Sequence, residues 1–205
     1  MALILKEWQD LPAKTTPIDA ESLNDLERRT TAQRGTSMPA SAEDGAEYDW
    51  VANEAAGVIW RFRYHTGSVS AYKWEFVGGS ELLTRVVAAE TTATTGWVDL
   101  ATLGPDVTVP RAGDYFIRYG AAVLGNVAGQ MYHAGIAQGA GATPAGALLQ
   151  IQVPTTGAML SLATQDVFTG VAANTLLRMR YFVPAAGTSA QFGERWLAVY
   201  PRRVA

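Results

Sequence analysis

The chain has 205 residues, of which 48% are apolar and 17% charged, with a net charge of −3 and a pI near 5.4. The acidic balance argues against a nucleic-acid coat, which shows a basic patch or stripe. The absence of cysteine excludes disulfides and thiolate metal sites, and no apolar run approaches the ~20 residues that cross a bilayer.

Soluble domains are about 25% charged. The deficit here fits surface buried between subunits. An Ala- and Gly-rich β protein with small neutral surface residues would show the same deficit. The apolar opening Met1–Lys6 is too short for a signal peptide and meets Glu7 and Asp10 at once. The expectation is a protein made in the cytoplasm without a secretion signal.

Residues 1–37 read as an extended arm, Leu3 to Trp8, followed by a short helix. Asp19 is a good N-cap, because its carboxylate can accept the free N–H groups of the first turn. Ile18 and Leu23 stand at hydrophobic-staple spacing. Leu23 and Leu26 then share a face, Thr30 and Gln33 extend it weakly, and Gly35 is the expected stop. One apolar turn cannot hold a helix in water by itself. The segment is therefore expected to dock, with Trp8, Ile18, Leu23 and Leu26 as its attachment or oligomer interface.

Residues 38–80 read as a small antiparallel β module. Glu47–Val51 alternates, and Val58–Tyr64 sets Trp60, Phe62 and Tyr64 on one face against Ile59, Arg61 and Arg63 on the other. Tyr72–Val77 repeats the pattern with Tyr72, Trp74 and Phe76. His65–Ser68 is turn chemistry. Two aromatic faces predict a hairpin laddered by cross-strand pairs of about 0.2–1 kcal/mol each. Gly78-Gly79 reads as a hinge after it.

Residues 81–205 read as many short strands punctuated by Gly, Pro, Thr and Asn. They are expected at 83–89, 97–100, 107–109, 114–122, 130–138, 148–153, 158–168, 176–183, 189–192 and 195–200. Strands at this spacing without a helical period imply a β-sandwich of jelly-roll type. The fold class is thus mainly β: arm and short helix, aromatic hairpin module, then a sandwich head. Trp97 and Trp196 are expected in the head core.

The sequence offers little catalytic chemistry. His65 and His133 are the only histidines, and no third ligand stands at metal spacing. Glu43-Asp44 with Glu47 and Asp49 reads as a solvated acidic loop, not a hydrolytic pair. Glu194 reads as an edge-strand charge. Gly139 and Gly141 lack the Lys-Ser/Thr of a phosphate loop. Arg61 and Arg63 could stack on nucleic acid, but they alternate with a core-facing aromatic row. No catalytic residue, metal or cofactor is expected.

Gly57-Val-Ile-Trp-Arg-Phe-Arg-Tyr64 with Ala71-Tyr-Lys-Trp-Glu-Phe-Val-Gly-Gly79 closely resembles a segment of virion proteins of tailed phages that infect actinobacteria, often labelled minor tail or fibre proteins. Trp8 with Thr16–Glu27 resembles the N-terminal module of phage tail and fibre proteins, and Val107–Tyr115 a strand–turn–strand of their β heads. The resemblance covers most of residues 8–120. Residues 121–205 match no such pattern.

The resemblance implies assembly on the particle, commonly as a homotrimer among other virion proteins, and no catalysis. The expected role is a tail, fibre or spike component held by its N-terminus with an outward head. A host cell-envelope glycan is a candidate partner of that head, with Tyr132 or Tyr181 as conceivable contacts; nucleic acid and membrane insertion are not expected. A capsid decoration or head-fibre protein is the alternative, and a glycan depolymerase a third reading.

Overall fold

A computed structural model of the chain describes residues 33–205, which contain thirteen strands and no helix. The expected arm and most of the capped helix, with Trp8, Ile18, Leu23 and Leu26, lie outside the described residues. Residues Gln33–Gly35 form a strand, β1, and not the end of a helix. Gly35 is needed for close packing: a Cβ there would collide with the Tyr48 hydroxyl.

β1 pairs in parallel with β2 (Glu47–Asn53), which runs antiparallel to β3 (Val58–Tyr64), which pairs with β4 (Trp74–Gly79). Cross-strand partners fall on one face, so Trp50 opposes Trp60, Tyr48 opposes Phe62, and Phe62 opposes Phe76. Tyr72 departs from the expected strand and lies before β4, where the Ser70 hydroxyl takes its backbone N–H at 3.1 Å. Gly78 and Gly79 are not a hinge. They pair with Arg61 and Trp60 inside β4, and at Gly79, with φ +139°, a Cβ would run into the Ile59 carbonyl.

The head follows as β5 (Leu82–Val86), β6 (Glu90–Thr92), β7 (Asp106–Thr108), β8 (Gly113–Gly125), β9 (Met131–Gln138), β10 (Leu149–Gln152), β11 (Met159–Val171), β12 (Leu176–Phe182) and β13 (Ala190–Val204). The two strands expected at 189–192 and 195–200 are one, because a bulge between Gly193 and Trp196 bends it without ending it. The strand expected at 97–100 is a single bridge, Val98 to Tyr181.

β13 is the spine of the long sheet. β8 lies along one side of it, while β6, β5 and β4 meet the other side in turn at residues 190–192, 195–199 and 203–204. The small module therefore shares a sheet with the head. β11 flanks β8 and forms the far edge. The second sheet runs β10–β9–β12–β7. Between the sheets lie Tyr115, Ile117, Tyr119, Leu197 and Val199 from the first and Tyr132, Ile136, Leu177, Met179 and Tyr181 from the second, all fully or nearly fully buried. This is a β-sandwich, and alternation along each strand builds it.

The phenols of that core end on backbone carbonyls: Tyr181 donates to Gly104 at 3.1 Å and Tyr115 to Arg111 at 2.5 Å, while Tyr119 donates to Ala147. Arg195 is fully buried and lies over the Tyr181 ring. Its guanidinium donates to the carbonyls of Ala88, Thr102 and Gly104, which ties the irregular 88–104 segment to β13.

Candidate assembly surface

The small module gives its aromatic face two jobs. Trp60, Phe62 and Trp74 are buried to within 2%, with Trp50 edge-on to Trp60 at 5.6 Å and Tyr64 edge-on to Trp74 at 5.1 Å. The polar tips of the same rings hold a strap of backbone. Trp50 Nε1 donates to the Thr36 carbonyl at 2.9 Å, the Tyr48 hydroxyl to Ser37 at 2.7 Å, and Trp74 Nε1 to Pro39 at 3.0 Å. The chain arriving from the N-terminal segment is thus fastened through carbonyls, whatever its side chains.

The outward face of the module is ionic. Arg61 pairs with Asp49 and Arg63 with Glu47, each at 2.7 Å. The Arg61 guanidinium holds the Asp49 carboxyl below the usual carboxylate range. Asp44 accepts from the N–H and hydroxyl of Thr66, which lowers it likewise. The acidic loop is therefore engaged in turns and pairs, and both arginines carry carboxylate partners. Glu194 pairs with Arg85. No group of three or more His, Asp or Glu side chains stands ready to hold a metal among the described residues.

The long sheet has an outer face that reads unlike a solvated surface. From β8 it receives Phe116, Arg118, Gly120, Ala122 and Leu124; from β13, Trp196, Ala198 and Tyr200; from β11, Met159, Ser161, Ala163, Gln165 and Val167; from β5, Leu83 and Arg85. An antiparallel sheet with one wet face normally alternates apolar-in with polar-out. Here Arg118 and Arg85 are neutralised, by Glu81 at 2.6 Å and by Glu194, and Arg202 adds a further charge beside Phe116. No helix or third layer covers the face among the described residues. Leu83 is 58% exposed and Met159 62%.

Its local construction is specific. Trp196 lies across β8 at Gly120, where a Cβ would meet the indole at 2.7–2.9 Å. Tyr200 stacks on Phe116 with centroids 5.1 Å apart, and Arg118 and Arg202 lie over these two rings. Trp196 is thus on the outer face and Trp97 on the outside of the second sheet, against Phe182 at 4.8 Å; neither fills the core between sheets, as had been expected. Tyr132 and Tyr181 are fully buried and cannot touch a glycan. Sequence periodicity could have found the outer face, since Phe116, Gly120, Ala122 and Leu124 are the alternate positions of β8. The small residues among them carry no signal of their own.

No family model matches the chain, and no curated protein matches it. Among solved structures, one of the Gt strain of infectious bursal disease virus is similar over 82% of this chain and 47% of that one, at 13% identity and a TM-score of 0.42. The chain spans about half the length of that viral chain. The C-terminal family-6 carbohydrate-binding module of a Zobellia galactanivorans laminarinase is similar over 58% of this chain and 98% of that one, at 17% identity and a TM-score of 0.30. A second such module, from Cellvibrio mixtus lichenase 5A in complex with cellotriose, gives 57%, 88%, 21% and 0.29 in the same order.

Proposed function

We propose that this chain is a non-enzymatic structural protein of a tailed-phage particle, held by its N-terminal segment and assembled as a homotrimer through the outer face of its long sheet. The observation that carries the reading is that face: rich in apolar and small side chains, with Arg118 and Arg85 paired within the chain, and without a covering layer among the described residues. Burying such surface yields about 25 cal/mol per Å², and the pairing of Arg118 and Arg85 within the chain limits repulsion from a second copy. The likeness of residues 57–79 to virion proteins supplies the setting.

The edge of the sheet supports a ring. Met159 and Leu162 sit on opposite faces of β11, 62% and 46% exposed. A partner lying flat on the outer face would cover Met159 and leave Leu162 in water. A neighbour that receives the β11 edge covers both. Contact between two different patches repeats around a ring, which accords with three copies. The strap at Thr36–Pro39 then joins attachment to head.

Antibody labelling of intact particles in electron microscopy tests the virion assignment. Label on tail or fibre supports it, label at capsid three-fold positions moves the protein to a decoration role, and particles without label overturn it.

A further inference from the structure

His133 lies on the outer face of the four-stranded sheet, on the opposite side of the sandwich from the proposed seam. It is 9% exposed. Its ring stacks on Phe182 with centroids 4.2 Å apart and planes 9° apart. Its Nδ1 is buried without a hydrogen-bond partner. A neutral imidazole can leave one nitrogen as an acceptor, but imidazolium carries N–H on both and would bury an unpaired charged donor. Burial holds the imidazole below the ordinary histidine range.

Few charged groups face this ring. β12 brings Phe182 opposite it and Arg180 two residues earlier; β10 brings Gln150 opposite it. The 97–99 segment brings Asp99, and the 139–148 loop holds no titratable side chain. Asp99 lies 3.5 Å from Arg180 Nε. The Asp99 carboxylate is therefore paired with Arg180, Asp106 with Arg178 farther along the same face, and neither is bonded to the imidazole.

Arg180 also fastens the cover. Its Nη1 donates to Gly141 and Ala142 carbonyls at 2.9 and 2.6 Å, and its Nη2 to Trp97 at 2.8 Å. Gly135, the next residue on His133's face, is packed so closely that a Cβ would meet Pro144, Leu148 and Trp97 at 2.7–3.2 Å. Two irregular segments thus depend on one arginine and on the packing beside His133.

We propose that His133 is an acid-operated latch, whose protonation releases the 97–99 segment and the 139–148 loop from the four-stranded sheet while the sandwich stays closed. The open form has an ordinary histidine affinity for protons, near pH 6.5, and the closed form a weaker one. Closure is therefore at full strength above that range and is lost as pH falls through it toward the lowered value.

Hydrogen exchange of the full chain at pH 7.5 and 5.0, corrected for intrinsic rates, reads this directly. Peptides covering 97–99 and 139–148 are expected to lose protection at pH 5.0 while β13 keeps it. His133→Gln and His133→Phe should abolish the loss, and His65→Gln should leave it intact. Unchanged protection in the native chain, simultaneous loss across β13, or an equal loss in both His133 variants overturns the latch. Should the variants not fold, proton NMR of the native chain decides: His133, one of only two histidines, must titrate at the midpoint of the protection loss, and titration apart from it overturns the proposal.

Discussion

The ring of Phe76, in the small aromatic module, meets the ring of Tyr200, in the head spine, with centroids 6.0 Å apart. Phe76 also sits edge-on to Phe62 at 5.9 Å, and Tyr200 stacks on Phe116. One aromatic path therefore runs from the strap-holding face to the outer face of the head sheet. It reinforces the β4–β13 pairing at Trp74 and Val204.

This contact predicts that module and head unfold together. Phe76→Ala should lower stability by about 1–3 kcal/mol, below the full cost of a buried phenylalanine because this ring is only half-buried. A cycle with Tyr200→Ala should show a coupling of about 0.5–1.5 kcal/mol. Denaturant melts of the four proteins measure it, and strictly additive effects would separate the two units.

Much of this arrangement was legible in the sequence. The alternation of Trp60, Phe62 and Tyr64 located β3 and its inward face, and the turn residues bounded most head strands. Other features were not. Tyr72 has the right residue type, but Ser70 takes its N–H, a local bond that strand periodicity does not reveal. Gly78-Gly79 looks like a hinge, yet the approach of Ile59 and Trp60 demands glycine there. Trp196 and Trp97 have a residue type that fills β cores, and both fit the head core by sequence. Trp196 points outward by its parity in β13, Trp97 lies against Phe182 beside a single bridge, and only the pairing of Trp196 with Gly120 shows why an exposed face holds an indole.

The strap predicts that donor groups, not ring volume alone, fasten the N-terminal approach. Trp50 with its indole N–H removed, as in Trp50→Phe, leaves the Thr36 carbonyl without that bond. The expected cost is about 1 kcal/mol from the hydrogen bond plus a term for the smaller ring. The distinguishing readout is amide exchange at residues 33–39, which should quicken while β13 is unaffected. Equal exchange in both proteins would remove the strap role.

Burial pushes the phenols of Tyr115, Tyr119 and Tyr181 well above the ordinary tyrosine range. A raised acid favours its protonated form in the folded state. These residues therefore contribute stability that is complete below about pH 10 and is lost as pH rises beyond it. In an alkaline titration, three of the eight tyrosines should form phenolate only together with loss of far-ultraviolet circular dichroism. Smooth ionisation of all eight with the sheet intact would contradict the buried positions.

The seam is most directly tested by the native mass of the full chain, measured by light scattering behind size exclusion, alongside Ala163→Glu. Ala163 is exposed on β11, opposite Gly120 and in the row of Trp196, so a carboxylate there should spare the fold and repel a neighbour. The account predicts three times the 21.9 kDa chain mass for the native protein and a folded, lighter species for the variant. A native protein that stays a monodisperse monomer at high concentration, or a variant that remains trimeric, would contradict it.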